Sequence, residues 1–497
     1  MKSNRYRLTK TDFIQYLNCP ESLWLLKNKP NVYKEFKGEF SLFLEKLIDE
    51  GYEVEEYAKL LFDKGVDIPE TANFEHTEKA LSSENNVFFQ PSFLTAKGVF
   101  ARVDILERLP DGSFHIYEIK SSTSIKTSGK HNHLKDACFQ KYVLQECDYP
   151  VSKVSIINLN RDYIRLGEIT VNELLNITDI TEELKGLYST VANEINAAAT
   201  LINKEDTSTI DCPCRYKTRS NHGDCFSYFN EDIPEHSIYE INRISAKKVT
   251  ELVEQGNIAI IDIPPDFELN TKQRTQVESV KQEKALIDKS AIKSTLSKLQ
   301  YPLHFLDYES YASAIPKVDL LSPHKHLVFQ VSIHSLSEDG NLTHFEWLGD
   351  SMVLPSDMLS KMQEFTGQYG TFISWNAPFE VGRNKDMIEW LSEYAPYLDY
   401  MNNHMFDLMD IFKDDYVDYR FHGSTSIKKV LPVLCPQFSY SNLEVQDGTT
   451  ALDTWGRMVS NPNFGEDIEQ TRKNLLAYCK LDTLAMVEIY NTLLKLY

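Results

Sequence analysis

The sequence predicts an α/β protein with two globular domains joined by a helical connector. The chain has 497 residues, more than one ordinary hydrophobic core accommodates. Its hydrophobic content of 42% is typical of a packed globular protein rather than a disordered one. Strand-like alternation occurs in two separate regions, with a long polar stretch of helical character between them. We therefore predict domains at residues 1–230 and 301–497, with the connector at 231–300.

The first predicted domain begins with helices and continues into a sheet. Apolar residues recur every three or four positions in "TDFIQYLNCPESLWLLK" and in "FLEKLIDEGYEVEEYAKLLFDKG". Strand patterns follow in "NVFFQPSFLTAKGVFARVDILERL" and, after a "PDG" turn, in "SFHIYEIKS". A helix, "LKDACFQKYVLQEC", and a strand, "VSKVSIINLN", complete the pattern, which indicates helices packed on a sheet.

The connector is predicted to be helical, and the second domain is again α/β. One long polar helical stretch, "QRTQVESVKQEKALIDKSAIKSTLSKL", closes the connector. The second domain starts with the strand "LHFLDYES" and continues through two alternating runs, "HLVFQVSIHSL" and "LTHFEWLG". Helix "DMLSKMQEFTGQYG" and strand "TFISW" follow, and the last helix is "NLLAYCKLDTLAMVEIYNTLLKLY".

Composition bounds the compartment and the partners. No apolar stretch approaches the roughly 20 residues of a membrane span, and the N-terminus has no apolar signal region, so we expect a cytoplasmic protein without a membrane partner. The net charge of −21 would argue against a nucleic-acid partner. This argument is weak, because metal-dependent nucleases concentrate carboxylates at their centres and local patches matter more than the total charge. The segment "KSSTSIKTSGKHNHLK" is locally basic. Its Lys126, Lys130 and Lys135 are candidate nucleic-acid contacts, although such a run is often only a solvated face.

Two carboxylates project side by side from the strand that opens the second domain. Asp307 and Glu309 are two residues apart, so their side chains share one face of the strand. Adjacent anions repel unless a cation lies between them. Glu380 follows the strand "TFISW", and Asp482 lies on the last helix one turn after Tyr478. Such an acid set suits two Mg²⁺ or Mn²⁺ ions for phosphodiester hydrolysis, with Tyr478 orienting the attacking water.

These motifs, in this order, resemble the DEDD exonucleases of the RNase H-like fold, tyrosine subtype. The resemblance covers roughly residues 301–497 and implies 3′-to-5′ exonuclease activity with Asp307, Glu309, Glu380 and Asp482 as metal ligands. The third acid of the family is usually aspartate, and Glu380 departs from that pattern. Such folds often have an auxiliary aspartate, for which Asp407 is a candidate against a capping role. Lys428 follows a Gly/Ser loop suited to phosphate contact.

A second set of charged residues lies in the first domain. Asp104 ends one strand, and Glu118 and Lys120 share a face of the next. An ordinary hairpin with a cross-strand salt bridge would have the same pattern. The set is also similar to the PD-(D/E)XK, or restriction-endonuclease-like, nuclease core in its RecB-like branch. That resemblance implies that Asp104 and Glu118 share a metal while Lys120 steadies the water or the scissile phosphate.

Further residues of the first domain correspond only loosely to the RecB-like branch. Gln140 and Tyr142 lie on a helix where the branch has glutamine and tyrosine, but their spacing departs from the usual one. Glu55 occupies the place of a metal-binding histidine, with Glu56 as the competing choice.

Four of the eight cysteines form the remaining candidate site. Cys212, Cys214 and Cys225 bunch within "CPCRYKTRSNHGDC", a pattern that favours a metal, with His222 able to replace one thiolate. The pattern resembles the RecB-like nucleases with an iron–sulfur cluster, in which one upstream cysteine, here Cys19, joins three downstream ones. Four thiolates imply a 4Fe-4S cluster, and zinc would accept the same set.

The whole chain therefore resembles a bacterial two-domain nuclease family whose function is itself inferred. We expect a metal-dependent nuclease acting on DNA, with single-stranded DNA as a candidate form, and with two sites and a role in repair or anti-phage defence. One alternative is a nucleic-acid-binding protein with a single active head, and another is an RNA-processing nuclease or toxin. The usual P-loop pattern is not visible in the sequence, so any helicase, like any defence-system protein, would be a partner.

Overall fold

The computed structural model divides the chain into two compact units. It describes residues 6–37, 42–69, 74–129, 131–207, 212–440, 443–461, 464–465 and 467–497. The first unit comprises Met1–Ile233 and Ala314–Pro323, and the second comprises Pro234–Ser313 and His324–Tyr497. Both units combine helices with a mixed sheet, so the predicted α/β class is confirmed.

The first unit contains nine α-helices and eight strands in its described part. The helices are α1 (Lys10–Asn18), α2 (Pro20–Asn28), α3 (Pro30–Lys37), α4 (Leu42–Lys59), α5 (Phe74–Leu81), α6 (His133–Glu146), α7 (Val171–Leu174), α8 (Thr181–Ile202) and α9 (Phe226–Phe229). The strands are β1 (Val66–Asp67), β2 (Val87–Phe89), β3 (Ser92–Leu94), β4 (Phe100–Arg102), β5 (Ile105–Arg108), β6 (Phe114–Lys120), β7 (Val151–Leu159) and β8 (Leu175–Asp179).

The sheet of the first unit has six strands in the order β1-β2-β5-β6-β7-β8, and β3 pairs with β4 separately. Strands β5 and β6 form the antiparallel hairpin that the "PDG" turn predicts, with Ile105 opposite Tyr117. Strand β7 runs parallel to β6, which requires the crossover through α6. The buried apolar residues of α6, including Ala137 and Phe139, belong to the main core, so the helix covers one face of the sheet beside β6.

The second unit contains ten α-helices and seven strands among the residues described. The helices are α10 (Ala246–Glu254), α11 (Thr271–Gln282), α12 (Lys289–Leu296), α13 (Ser356–Thr366), α14 (Ala377–Trp390), α15 (Ala395–Asn403), α16 (Met409–Asp414), α17 (Ile427–Leu434), α18 (Gly448–Ser460) and α19 (Ile468–Leu494). The strands are β9 (Leu286–Ile287), β10 (Leu303–Ala312), β11 (His326–Leu336), β12 (Leu342–Leu348), β13 (Thr371–Ser374), β14 (Met405–Asp407) and β15 (Tyr416–Val417).

The main sheet of the second unit has the order β12-β11-β10-β13-β14. The meander β10–β11–β12 is antiparallel, whereas β13 and β14 run parallel to β10. Leu306 and Tyr308 of β10 lie in the core that includes α13 and α14. Because side chains alternate along a strand, Phe305, Asp307 and Glu309 face the opposite side. Phe305 there contacts Tyr490 of α19, with ring centroids 5.7 Å apart.

The single long helix predicted at the end of the connector is wrong. Helix α11 ends at Gln282, and the backbone of the next residue, Glu283, is left-handed at φ +47°. The next residues form β9, which pairs with β15, before α12 begins. Backbone hydrogen bonds to a distant strand therefore replace helical ones. The polar sequence pattern does not predict this pairing, because it depends on tertiary contacts. Residues 234–300 belong to the second unit.

No helix in the described part of the chain combines the length and apolar character needed to cross a bilayer.

Candidate active sites

The carboxylates of β10 and α19 converge in the second unit. One oxygen each from Asp307, Glu309 and Asp482 lies within 4.8 Å of the others. Asp307 and Glu309 are half-buried, and Asp482 is 7% exposed. Strand alternation places the first two on the face against which α19 packs, and helix periodicity brings Asp482 onto the same spot.

Polar contacts hold α19 in register against β11. The Gln330 side-chain amide donates to Leu475 O at 2.8 Å, and the Ser332 and Thr483 hydroxyls lie 2.8 Å apart. All these bonds are buried. Because Thr483 adjoins Asp482, this register fixes where the carboxylate meets β10.

Glu380, on α14, is outside the group of three acids whose oxygens lie within 4.8 Å, although the charge of Asp307 acts on it. The helix starts after β13 at Asn376, whose left-handed backbone (φ +83°) turns the chain sharply. Glu380 is 2% exposed, and within the described residues its Oε2 atom has no hydrogen-bond partner. Burial, and then the charge of Asp307, raise the pKa of Glu380 well above its usual value. An orphaned buried carboxylate oxygen beside other acids is a position suited to a cation.

The pKa values of the acid set report the same crowding. Burial, followed by repulsion from Asp482, raises the pKa of Asp307 well above normal. Burial and repulsion from Asp307 and Asp482 do the same for the pKa of Glu309. Burial raises the pKa of Asp482 to about 6. Ionisation of Asp307 and Glu309 is therefore opposed unless a cation joins them.

Two tyrosines and one lysine border the acids. The Tyr440 hydroxyl donates to Asp482 Oδ1 at 2.5 Å. Tyr478 is buried, and burial followed by the charges of Asp482 and Glu309 raises its pKa. Lys428 Nζ lies 5.7 Å from the ring centroids of both tyrosines and donates to Gln446 O at 2.6 Å. Its charge lowers the pKa of Glu309 and Asp482, opposing their burial.

Sequence reasoning missed three members of this neighbourhood. The Cys479 thiol donates to Asp307 Oδ2 at 3.3 Å. A Cβ atom on Gly448 would lie only 3.2 Å from Glu309 Oε2. Tyr440 is the third. Cys479 lies three residues before Asp482, so helix periodicity could have indicated it. Tyr440 and Gly448 come from a loop and a helix start without a local signal.

Asp407 has a structural role in the contacts observed. Its Oδ1 atom accepts hydrogen bonds from the backbone N–H groups of Asn376 at 3.0 Å and Met409 at 3.1 Å. Lys413 pairs with its other oxygen at 3.4 Å. Its charge contributes to the raised pKa of Glu380, after burial and Asp307. Asp407 thus joins β14 to the start of α14 and influences the acid set from there.

In the first unit, Asp104 and Glu118 meet across the β5–β6 hairpin. Asp104 Oδ2 accepts from Ile119 N at 2.8 Å. Glu118 is fully buried, and its Oε1 atom lies 2.7 Å from Lys10 Nζ and 2.8 Å from Lys120 Nζ. The Gln140 amide donates to Glu118 Oε2.

Further charges balance this second site. Lys120 Nζ also lies 2.6 Å from Asp136 on α6. Sequence reasoning missed Lys10, which is distant along the chain, and Asp136, whose position four residues before Gln140 is a usable helical signal. Burial opposes ionisation of Glu118, but Lys10 and Lys120 prevail and lower its pKa to about 2. Burial and the Glu118 charge raise the pKa of Asp104 to about 7.

The remaining predicted residues of the first unit lie farther from these acids. Glu55 on α4 accepts a hydrogen bond from the Gln90 amide at 2.6 Å, and Gln90 N donates to Asp104 O at 3.0 Å. Glu55 therefore reaches the Asp104 segment through Gln90. Glu56 is exposed and pairs with Lys59 at 2.7 Å. Tyr142 is 3% exposed in the core, and its hydroxyl lies 3.4 Å from Asn196 Oδ1, away from Glu118.

The lysines of the predicted basic segment differ in their surroundings. Lys126 is exposed, and its backbone N–H donates to His133 Nδ1 at 3.2 Å. The Lys135 ammonium is engaged by Glu194 at 2.6 Å, so a phosphate would have to compete with a carboxylate. Lys130 lies outside the described residues.

The four predicted cysteines share one buried cluster in the first unit. Sulfur atoms of Cys19, Cys212 and Cys214 lie within 4.8 Å of one another. Cys225 is fully buried in the same cluster, its backbone N–H bonded to Ser22 Oγ at 3.4 Å.

The surroundings of the cluster are tightly packed. A Cβ on Gly223 would lie 2.4 Å from Cys19 Cβ, so glycine is needed there. His222, the candidate to replace one thiolate, stacks on Phe226 with ring centroids 3.6 Å apart, and its Nε2 lies 3.1 Å from Lys217 O.

Comparisons with known proteins match parts of the chain. Residues 304–426 match the family model described as "Domain of unknown function (DUF2779)". The chain is 28% identical over 219 residues, or 40% of its length, to 33% of "Uncharacterized protein MG366 homolog" of Mycoplasma pneumoniae. It is 24% identical over 233 residues, or 43% of its length, to 35% of "Uncharacterized protein MG366" of Mycoplasma genitalium. The chain thus spans about a third of the length of these relatives. The family segment includes β10 and α14, which carry Asp307, Glu309 and Glu380, and ends before α17 and α19.

Proposed function

We propose that this protein is a metal-dependent nuclease that hydrolyses phosphodiester bonds of DNA, with its principal site in the second unit. The observation that carries the proposal is the convergence of Asp307, Glu309 and Asp482 within 4.8 Å, where burial raises all three pKa values and repulsion from neighbouring carboxylates adds to the rise at Asp307 and Glu309. Unoccupied, such a cluster opposes folding, and a cation is the group that offsets it.

The donor set fits Mg²⁺ or Mn²⁺. Asp307, Glu309, Glu380 and Asp482 supply hard oxygen donors only, as these ions prefer. The orphaned Oε2 of Glu380 supports the fit, since it offers a buried lone pair without another use among the described residues. Bound divalent ions would activate water and neutralise the charge that develops on the phosphate.

Side chains around the acids have roles of their own. The Tyr478 hydroxyl, on the same helix as Asp482, would orient the attacking water. The Lys428 ammonium would contact a substrate phosphate, because it lies beside the acids and its charge already acts on Glu309 and Asp482. The sheet order β12-β11-β10-β13-β14, with an antiparallel meander and two parallel strands, supports the proposed RNase H-like fold of DEDD type.

The Asp104–Glu118–Lys120 set is proposed as a second site, of the PD-(D/E)XK type. Asp104 and Glu118 would share a metal, and Lys120 would contact the scissile phosphate or the attacking water. The charge balance favours a second candidate function for this unit, namely nucleic-acid binding without cleavage. Lys10 and Lys120 already neutralise Glu118, whereas the acids of the second unit repel one another.

The cysteine cluster is proposed to hold a 4Fe-4S cluster, with zinc as the alternative. Four buried cysteines suit either an iron–sulfur cluster or a zinc ion. Their thiols are available as ligands, because none of the eight cysteines forms a disulfide. Anaerobically purified protein should then show the visible absorbance of iron–thiolate ligation and contain iron and sulfide. Zinc content without that absorbance would support the alternative, and the absence of both metals would contradict the proposal.

DNA is the proposed substrate, with RNA the competing one, and repair or defence the proposed setting. A helicase or defence-system protein remains a predicted partner, and a cytoplasmic location stays a prediction from the sequence.

The deciding experiment compares two substitutions that preserve shape. Asp307→Asn and Glu118→Gln proteins are assayed on end-labelled single- and double-stranded DNA and RNA, with Mg²⁺ or Mn²⁺. Exposed Asp399→Asn and Glu183→Gln serve as matched controls. We expect Asp307→Asn to abolish exonucleolytic products, and Glu118→Gln to abolish a separate activity if both sites cleave. Cleavage that survives Asp307→Asn and Glu118→Gln together would contradict the proposal.

The same variants distinguish the binding alternative for the first unit. If Glu118→Gln changes affinity for nucleic acid but no cleavage product, the first unit binds only.

A further inference from the structure

A cluster of two histidines and two glutamates lies in the second unit, among residues not used in the proposed nuclease site. Glu235, His236 and His422 each place one potential ligand atom within 4.8 Å of the others. The Glu240 carboxylate bridges the two imidazoles, with its Oε2 3.2 Å from His236 Nδ1 and its Oε1 3.0 Å from His422 Nδ1. The rings are stacked with centroids 4.9 Å apart.

The backbone around His236 is fixed by pairing with a neighbouring segment. Ile260 N donates to His236 O at 2.9 Å, and Ile238 N donates to Ile258 O at 2.9 Å. Ser237 and Ala259 form an isolated antiparallel bridge between the same segments. His236 and Glu240 therefore project from an ordered stretch rather than a loose loop.

The backbone around His422 is forced close to Glu240. His422 is left-handed at φ +51°, a conformation that is uncommon for residues other than glycine, and Gly423 follows at φ +70°. A Cβ on Gly423 would lie 1.8 Å from Glu240 O, so only glycine permits this approach. The Gln276 amide donates to Glu240 O at 2.8 Å and holds the same strand of backbone. The fold thus maintains a strained residue in the place where its imidazole meets the cluster.

The ligand chemistry is that of a borderline transition metal. Imidazole nitrogens with carboxylate oxygens suit zinc, whereas Mg²⁺ prefers oxygen alone. Metal-binding histidines commonly donate their second N–H to a carboxylate that orients the ring. Glu240 occupies that position for both His236 and His422. Glu235 is exposed and both histidines are half-buried, so an ion can enter from solvent.

We propose that Glu235, His236 and His422 bind one Zn²⁺-class ion and that Glu240 orients both imidazoles. The ion joins the segment before α10 to the loop before α17. That loop is anchored on its other side by Trp375 Nε1, which donates to Thr425 O at 2.9 Å. Bound metal on one side and Trp375 on the other therefore hold the loop, independently of the acids on β10 and α19.

Metal content tests the proposal on the full chain. Protein stripped with a chelator is resupplied with Zn²⁺, desalted, and analysed by inductively coupled plasma mass spectrometry. We expect His236→Ala and His422→Ala each to hold one equivalent less than the unsubstituted protein. His404→Ala, which removes an exposed imidazole on the end of α15, should leave the content unchanged. Equal zinc content in all four proteins would overturn the proposal.

Two milder substitutions keep the test valid should an alanine variant misfold. Glu235→Gln changes an exposed side chain and should weaken Zn²⁺ affinity without altering the circular dichroism spectrum. Glu240→Gln should weaken it 10- to 100-fold, as removal of an orienting carboxylate commonly does. With Co²⁺ as the probe, the visible d–d bands of nitrogen and oxygen ligation should fall in both variants. Bands and affinity unchanged in both would overturn the assignment, whatever the cysteine cluster binds.

Discussion

At the scale of residues, like charges buried together dominate the second unit. Asp307 and Glu309 share a face of β10, as strand alternation predicts, and Asp482 meets them from α19. Burial raises the pKa of each, so without metal the native state holds protons that the unfolded chain releases. The acid set therefore makes stability dependent on pH and on divalent ions.

The pH dependence of stability follows from Asp482. An unfolded aspartate has a pKa near 3.9, and the native value is about 6. The native state binds this proton more tightly, so its stabilising contribution is complete below about pH 4 and is lost as the pH rises through about 6. The loss is on the order of 3 kcal/mol. Denaturant unfolding in EDTA should show a smaller decline between these pH values for Asp482→Asn than for the unsubstituted protein.

Asp399→Asn is the matched control for that measurement, because it removes an exposed carboxylate on α15. Identical pH profiles for the unsubstituted, Asp482→Asn and Asp399→Asn proteins would contradict the account of Asp482 as a buried carboxylate with a raised pKa.

Tyr478 is expected to act in catalysis rather than in folding. Removing its hydroxyl in Tyr478→Phe should lower kcat on DNA by about 100-fold or more, because a positioned proton-transfer group contributes roughly that much. Tyr490→Phe is the control on the same helix, where the hydroxyl lies 2.9 Å from that of Tyr301. Steady-state kinetics should separate the two, and equal kcat values would remove Tyr478 from the mechanism.

At the scale of elements, helix starts and ends set the space around the acids. Helix α18 begins at Gly448 beside Glu309, and α14 begins just after the left-handed Asn376. The first turn of α18 thus leaves little room for added atoms beside Glu309, and the first turn of α14 carries Glu380.

Gly448→Ala tests that space. The new Cβ would lie 3.2 Å from Glu309 Oε2, so the carboxylate must move and cleavage activity should fall. Gly382→Ala on α14 meets nothing within 4 Å and should stabilise the protein by up to about 1 kcal/mol with activity unchanged. Cleavage activity and thermal unfolding are measured on both variants. Full activity in Gly448→Ala would contradict the account.

Helix α1 contributes to the first unit through Lys10. The Lys10→Met substitution leaves the buried Glu118 with one lysine instead of two, so the free energy of unfolding at neutral pH should fall. Lys97→Met removes a mostly exposed ammonium and should change stability by less than about 1 kcal/mol. Urea unfolding compares them, and an equal effect of both substitutions would show that the Glu118 pair contributes nothing beyond a surface ion pair.

At the scale of the whole molecule, the sequence predicts the elements that have a local periodic pattern and misses the positions that depend on contacts between distant residues. Alternation and helix periodicity identify β10, β11, β12 and α19, and with them the three converging acids. The bunched downstream cysteines are likewise visible in the sequence, and they share a core with Cys19.

Long-range partners carry no such signal. Lys10 reaches Glu118 across more than a hundred residues, and Tyr440 reaches Asp482 from a loop. The segment Ala314–Pro323 belongs to the first unit although its flanking strands, β10 and β11, belong to the second. Only packing of the complete chain determines these positions, because no spacing rule relates residues so far apart.

The most direct test of the central claim is the location of bound Mn²⁺ by anomalous X-ray scattering from crystals of the full chain. We predict a peak within coordination distance of Asp307, Glu309 and Asp482, and its loss in Asp307→Asn. Crystals of the unsubstituted protein in saturating Mn²⁺ with no anomalous peak among these carboxylates would contradict the account.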